Sequence, residues 1–153
     1  MSAVVKVRET FGFRLYSYVV MPNHVHLLIA PASGDAHPFE LGLAALAGRD
    51  PRFSGPKRLG LSTLVLSLDD DHRATICARY HDLNPVRAKL VARPEDYDWS
   101  SYRARAGLAV CSWLDREPQF ETLGTTAQEQ AAGYRKFVES EARKPKRAPL
   151  ATW

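Results

Sequence analysis

Near the N-terminus, apolar residues form two runs separated by a short turn. Residues 13–20 are rich in aromatic and β-branched side chains, which is typical of a β-strand. Pro22 and Asn23 then indicate a turn, and residues 24–30 form a second apolar run. Because side chains alternate between the two faces of a strand, every second position of this run faces the core. The pattern therefore predicts a β-hairpin over residues 13–30.

The middle of the chain has a weaker pattern. We interpret residues 31–38 as a loop and residues 39–47 as a helix. Residues 48–60 hold three glycines and two prolines, a composition that indicates irregular structure. Residues 61–68 are apolar and partly β-branched, so we expect a short strand there.

A helix is predicted to begin at the acidic residues 69–71, because acids are favourable at the positive end of the helix dipole. It continues to about residue 83. One face carries the residues at i, i+3 and i+4 spacing: Ile76, Cys77, Tyr80, Leu83 and Asn84. Pro85 lacks an N–H group and clashes with the preceding turn, so we expect a break there. A second short helical piece is expected over residues 86–91, since proline suits the first position of a helix.

Two further segments complete the chain. Residues 93–107 mix proline, aspartate, serine and aromatic residues, which indicates a structured loop that leads into a helix. Residues 128–142 are predicted to form a C-terminal helix. We expect a single domain over residues 1–142, followed by a basic tail over residues 143–153.

Composition and charge narrow the class of protein. The 153 residues fit one domain, and no apolar run approaches the roughly 20 residues that a membrane-spanning helix needs. Two cysteines give no disulfide framework, so a reducing cytoplasm is the expected compartment. A net charge of +4 favours an anionic partner, nucleic acid above all. The basic run at residues 143–147 also fits a solvated tail.

A His-x-His pair begins the second strand of the predicted hairpin. His24 and His26 are two residues apart, so both side chains point to the same face. Two adjacent imidazoles are an incomplete metal site, because a third ligand must come from elsewhere in the chain. Mn²⁺, Zn²⁺ and Ni²⁺ accept imidazole readily, whereas Mg²⁺ prefers oxygen ligands. The alternative is a pair of surface or hydrogen-bonded histidines without a metal.

A tyrosine and an asparagine share one face of the predicted helix. Tyr80 and Asn84 have i, i+4 spacing, which places them one turn apart. A tyrosine hydroxyl can attack phosphorus to give a covalent phosphotyrosine when a metal polarises the phosphate, and an amide oxygen could be the third metal ligand. The alternative is a core tyrosine with an asparagine that caps the helix before Pro85.

Cations and aromatic residues alternate after this helix. Cations neutralise phosphates and aromatic rings stack on unpaired bases, so the mixture suits single-stranded DNA. An ordinary packed loop with solvated cations is the alternative. The segment contains Arg87, Lys89, Arg93, Arg103 and Arg105 together with Tyr97, Trp99 and Tyr102.

Three strings, taken in this order, resemble the HUH single-tyrosine transposases, and the REP-associated tyrosine transposases above all. They are VMPNHVHLL at residues 20–28, RYHDLNPVRA at residues 79–88 and RPEDYDWSSY at residues 93–102. The resemblance covers roughly residues 10–35 and 60–140. It implies an α+β fold of the HUH endonuclease type, a ferredoxin-like α/β plait in which helices back an antiparallel sheet.

The resemblance also implies a site and a reaction. His24, His26 and Asn84 match the ligands of Mg²⁺ or Mn²⁺, and Tyr80 matches the nucleophile. The tyrosine would attack single-stranded or hairpin DNA, give a 5′-phosphotyrosine and a free 3′-hydroxyl, and allow rejoining. Such an enzyme would work in the bacterial cytoplasm in association with the nucleoid. The residues expected to contact DNA are Arg79, Arg87, Lys89, Arg93, Trp99, Tyr102 and Arg103.

The chain departs from the family pattern at two places. No strand and helix of the family type are recognised before the hairpin, and residues 36–60 lack the usual basic helix. We therefore expect a sheet without its first strand, and dimerisation would cover the edge left open. One alternative is an inactive or domesticated remnant that only binds structured single-stranded DNA. Another is an unrelated His-x-His zinc protein that acts on small molecules.

Overall fold

The computed structural model describes residues 2–30, 60–65 and 71–142, which form an α+β fold. A three-residue 3₁₀ turn, Pro94–Asp96, lies between the helices Asp71–Arg87 and Tyr102–Arg105. The described helices and strands are α1 (Ser2–Phe11), β1 (Arg14–Val20), β2 (His24–Ala30), β3 (Gly60–Val65), α2 (Asp71–Arg87), α3 (Tyr102–Arg105), α4 (Pro118–Glu121) and α5 (Ala127–Ala142).

The described strands form one mixed sheet in the order β1-β2-β3. β1 and β2 are antiparallel, and the N–H of Met21 donates to the carbonyl of His24 at 2.8 Å, so the predicted hairpin is confirmed. β3 confirms the predicted third strand over a shorter range, but it pairs parallel to β2. The expectation of a purely antiparallel sheet is therefore wrong. The long connection through residues 31–59 supplies the crossover length that a parallel pair requires.

The alternation of side chains on β2 divides the core between the two faces of the sheet. Leu27 and Ile29 belong to a buried cluster on one face, which Trp113 and Leu114 partly cover. Leu28 and Ala30 point to the other face. There the cluster is completed by Tyr16, Ala74 and Ala78. Because Ala74 and Ala78 are small and one turn apart, the backbone of α2 can approach the sheet closely.

An irregularity in β1 is stabilised by a buried arginine. The register with β2 shifts between Leu15 and Ser17, so Tyr16 is the extra residue, as in a β-bulge. Arg105 donates to the carbonyl of Tyr16 at 2.8 Å and to the Glu117 carboxylate at 2.8 and 2.5 Å. Both charged side chains are almost fully buried. The ion pair therefore connects the segment from α3 to α4 with the middle of β1.

Helix α2 runs through Pro85 instead of breaking there. The expected break at Pro85 and the expected separate helical piece over residues 86–91 are therefore wrong. Proline removes only one N–H donor, and the next turn is retained because the N–H of Ala88 donates to the carbonyl of Asn84 at 2.8 Å. Pro85 is buried, and this packing offsets its backbone penalty. The helix ends before Lys89, which has a left-handed φ of 59°.

The structure confirms two of the remaining predicted segments and adds two helices that were not predicted. The loop and helix start over residues 93–107 are confirmed by the 3₁₀ turn and α3, and the C-terminal helix is confirmed by α5. Helices α1 and α4 were not predicted. The predicted loop at 31–38, helix at 39–47 and tail at 143–153 lie outside the described residues, as does the predicted irregular segment at 48–60 apart from Gly60, which begins β3 instead.

Within the described residues, every helix is too short or too polar to cross a lipid bilayer.

The buried ion pair gives a stability prediction. Glu117→Ala leaves the Arg105 guanidinium buried without its carboxylate, so we expect the free energy of unfolding to fall by about 3–5 kcal/mol. Urea titrations followed by circular dichroism measure this change. The matched control is Asp98→Asn, which removes the partner of Arg103 from an exposed pair and should cost about 0–1 kcal/mol. Equal losses in the two variants would show that the buried pair does not hold the fold together.

Candidate active site

The two histidines of β2 lie side by side, as the strand period predicts. Their ring centroids are 4.6 Å apart and the ring planes are nearly perpendicular, at 84°. Nδ1 of His24 lies 2.6 Å from Oδ1 of Asn23, which can accept only if Nδ1 carries the proton. In the neutral form of the ring, the Nε2 lone pair is then available to another partner. This is the arrangement in which an outer hydrogen bond fixes the tautomer of a metal-binding imidazole.

His26 is half-buried beside His24, and both features disfavour its charged form. Burial is the larger cause and the neighbouring His24 the smaller one, and together they lower the pKa of His26 to about 4. At pH 7 the ring is neutral and one of its nitrogens carries a lone pair. His26 can therefore act as a metal ligand without first losing a proton.

Helix α2 brings the predicted nucleophile to the histidine pair. The centroid of the Tyr80 ring lies 6.1 Å from that of His26, with an angle of 79° between the planes. The Tyr80 side chain is 40% exposed, so a substrate can reach it. The guanidinium carbon of Arg87 lies 5.2 Å from the ring centroid, on its face. Side chains that are more than fifty positions apart in the sequence thus meet at one surface site.

Asn84 lies one turn after Tyr80 on the same helix. Its Nδ2 atom is buried and has no hydrogen-bond partner among the described residues. A buried amide without a partner is costly, and a half-turn of the amide exchanges nitrogen for oxygen at that position. The Nδ2 end of the amide therefore lacks a protein partner, and after such a half-turn the amide oxygen at that position could serve as a ligand. No ring contact or hydrogen bond joins Asn84 to His24 or His26 in the described part of the chain.

The set of possible metal donors is limited. In residues 2–30, 60–65 and 71–142, no group of three or more His, Cys, Asp or Glu side chains could hold a metal ion. A site built on His24 and His26 therefore needs a ligand of another type, and the amide of Asn84 is a chemically suitable one. A pair of imidazoles with one amide oxygen fits Mn²⁺ better than Mg²⁺, because Mg²⁺ prefers oxygen ligands and keeps its water.

His81 belongs to this cluster, although the sequence analysis did not select it. Its ring is stacked on that of His26, with centroids 5.3 Å apart and planes at 20°. Its Nδ1 lies 2.8 Å from Oγ of Ser17 and its Nε2 lies 3.5 Å from Sγ of Cys77. Burial first, then the nearby His26 and Arg105, lower the pKa of His81 to about 3. The i, i+4 spacing of Cys77 and His81 is the one feature of the sequence that could have indicated a contact between these two side chains.

Two of the arginines expected to bind DNA contact α5. Arg79 lies 3.4 Å from the Glu141 carboxylate and its guanidinium carbon lies 4.0 Å from the centroid of the Phe137 ring. Arg87 lies 4.0 Å from the same carboxylate, but its side chain is 42% exposed. Arg79 thus stabilises the packing of α5 on α2, whereas Arg87 retains access to a ligand.

Other predicted DNA contacts lie on the surface, and one of them, Trp99, is bonded through its backbone to the end of β1. The indole of Trp99 is 61% exposed, while its backbone carbonyl accepts a hydrogen bond from the N–H of Val20 at 2.8 Å. This places an exposed aromatic ring on a fixed backbone. Lys89, Arg93 and Arg103 are exposed too, and the two arginines contact Asp96 and Asp98.

Tyr102 does not suit the role predicted for it. It is only 3% exposed and packs in a buried cluster with Leu83, Phe120 and Tyr134. No face of the ring is available for a base to stack on. Arg105, which belongs to the same basic and aromatic segment, is buried as well. Sequence pattern alone does not separate these two from their exposed neighbour Arg103, because α3 buries Tyr102 and Arg105 and exposes the Arg103 between them.

No family model matches the chain, and no curated protein and no solved structure matches it. Function must therefore be inferred from the residues and their geometry.

The different burial of Tyr102 and Trp99 gives a prediction. Tyr102→Ala opens a cavity in the core, so we expect the free energy of unfolding to fall by about 3–5 kcal/mol. Trp99→Ala removes an exposed ring and should change that free energy by no more than about 0.5 kcal/mol. Urea unfolding of both variants measures the difference. A stable Tyr102→Ala protein would mean that the ring is not part of the core.

Proposed function

We propose that the chain is a metal-dependent single-tyrosine DNA transposase or nuclease of the HUH type, which cuts and rejoins single-stranded, hairpin-forming DNA. The observation that carries the proposal is the 6.1 Å separation between the rings of Tyr80 and His26, next to the second histidine at 4.6 Å. A phenol beside two imidazoles is the donor set that this chemistry needs. The proposal includes REP-associated tyrosine transposase ancestry and a ferredoxin-like plait.

Tyr80 carries out the covalent step in this proposal. Its Oη attacks a backbone phosphorus, the new P–O bond forms, and the bond from phosphorus to the 3′-oxygen of the preceding nucleotide breaks. The phenolic proton passes to solvent, which reaches the half-exposed side chain, and the departing 3′-oxygen takes up a proton. The product is a 5′-phosphotyrosine with a free 3′-hydroxyl. Attack by a 3′-hydroxyl on this phosphotyrosine reverses the step and rejoins DNA.

The chain's other residues bind and orient the reacting groups. His24, His26 and the amide of Asn84 would hold Mg²⁺ or Mn²⁺, which when bound would neutralise charge on the phosphate. Arg87 lies over the Tyr80 ring and would contact the same phosphate. Trp99 offers a face on which an unpaired base can stack.

The positive net charge of the chain and its exposed basic side chains are consistent with a DNA substrate. The net charge is +4, and Lys89, Arg93 and Arg103 are exposed. Arg93 and Arg103 contact carboxylates on the surface, where such pairs contribute little and exchange readily for a phosphate. A small-molecule zinc site would not require this combination of exposed cations and an exposed indole.

The proposed nucleophile is tested with Tyr80→Phe. The variant loses only the hydroxyl, so we expect no covalent adduct with a hairpin-forming single strand in Mn²⁺, and DNA affinity within about 3-fold of wild type. A labelled oligonucleotide and denaturing gels detect the adduct, and salt-dependent binding assays measure the affinity. Tyr97→Phe is the matched control, because it loses a hydroxyl that donates to the backbone carbonyl of Val20 and is not the proposed nucleophile.

The outcomes separate the proposal from its rivals. An adduct in the wild type and in Tyr97→Phe, but not in Tyr80→Phe, supports the enzyme. An adduct that persists in Tyr80→Phe would show that another group attacks. DNA binding without any adduct, unchanged by Tyr80→Phe, would favour a remnant that only binds structured single strands. Stoichiometric zinc without DNA affinity would favour the small-molecule metalloprotein.

The metal site is tested with His24→Ala. Removing one of two imidazole ligands should weaken Mn²⁺ binding by roughly 10-fold or more. Isothermal titration calorimetry without DNA measures the affinity, and circular dichroism checks that the variant is folded. An unchanged Mn²⁺ affinity would remove His24 from the site.

A further inference from the structure

His81 is the buried sequence neighbour of the exposed Tyr80. Its ring is stacked on His26, with centroids 5.3 Å apart, while only 3% of the residue is exposed. This separation and the small angle between the planes lie in the range of favourable aromatic stacking. The buried face of His26 is therefore supported by a second imidazole rather than by an aliphatic side chain.

Two elements hold the His81 ring in its plane. Nδ1 lies 2.8 Å from the hydroxyl of Ser17 on β1, and Nε2 lies 3.5 Å from the thiol of Cys77 on α2. Burial raises the pKa of the Cys77 thiol to about 12, so it remains an S–H group. A neutral imidazole has one donor and one acceptor, and hydroxyl and thiol can supply the complementary groups. Both ring nitrogens thus have partners within the protein.

The position of Ser17 depends on the irregularity in β1. The shift at Tyr16 puts Ser17 opposite Leu28, and Leu28 faces α2. Arg105 satisfies the carbonyl of Tyr16 at this point. The deformation of β1 therefore directs a hydroxyl to α2, where it meets His81. Bulges next to active sites commonly redirect a side chain in this way.

We propose that His81 is a positioning residue: its ring face fixes the orientation of His26, and its place next to Tyr80 fixes the distance between nucleophile and ligand. The inference rests on the proposed function, because it concerns how His26 is presented to a metal. A leucine would fill much of the same volume but would supply neither a flat face nor hydrogen bonds. The stack on His26 and the contacts with Ser17 and Cys77 hold the buried ring of His81 in one orientation.

The decisive comparison is between two double variants. Ser17→Ala with His81→Phe removes both partners of the hydrogen bond and keeps a flat ring. Ser17→Ala with His81→Leu removes the same bond and the ring together. The single variant Ser17→Ala is the common reference. Isothermal titration measures Mn²⁺ affinity without DNA, and single-turnover assays at saturating Mn²⁺ measure the rate of adduct formation.

The positioning role predicts rescue by phenylalanine. The phenylalanine double variant should bind Mn²⁺ within about 3-fold of Ser17→Ala, and the leucine variant about 10-fold more weakly, as for other groups that orient a ligand. If His81 were itself a ligand, both double variants would lose affinity as severely as His26→Ala. If His81 had no role, both would bind as tightly as Ser17→Ala. Either equal result overturns the proposal.

A measurement on the wild type covers the case in which a variant does not fold. Nuclear Overhauser effects between the ring protons of His26 and His81 should be observed in the unmodified protein, and their absence would overturn the stack. Failure of the proposed function is distinguishable, because a wild type that binds no Mn²⁺ and forms no adduct refutes the enzyme whether or not the two rings are in contact.

Discussion

Arg105 carries a positive charge into the core, and its partners determine how several segments pack together. Arg105 donates to Glu117 and to the carbonyl of Tyr16, and its guanidinium carbon lies 4.4 Å from the centroid of the Tyr134 ring. A charge removed from water is tolerated only when it is paired and hydrogen-bonded. The segments that carry these partners must therefore dock together. Their docking stabilises the irregularity in β1 and with it the direction of Ser17.

The site follows from how closely α2 approaches the sheet. Two alanines on the inner face of the helix allow short contacts with β1 and β2, and the next turns of the same helix then reach the histidine pair. Consecutive residues take different environments there. Tyr80 is 40% exposed, while His81 is buried and its ring is stacked on that of His26. One helical turn thus contains both the proposed nucleophile and the histidine that we propose positions His26.

The period of each strand and helix was enough to predict which side chains share a face. The alternation on β2 was enough to place His24 and His26 on one face, and helical spacing was enough to place Tyr80 and Asn84 one turn apart. Tertiary packing determined the rest. Burial of Pro85 offset its backbone penalty and kept α2 continuous. Which side of α3 faces the core decided which aromatic and basic residues are exposed, and a sequence pattern of mixed character does not contain that information.

In the proposed site, a metal bound by the histidine pair lies beside the hydroxyl of Tyr80. Anomalous scattering from a crystal soaked in Mn²⁺ locates manganese independently of the protein density. We expect a peak within bonding distance of both His24 and His26 and next to the Tyr80 hydroxyl. A crystal without a peak there, or with manganese bound elsewhere while Tyr80 lies far from it, would refute the proposed site.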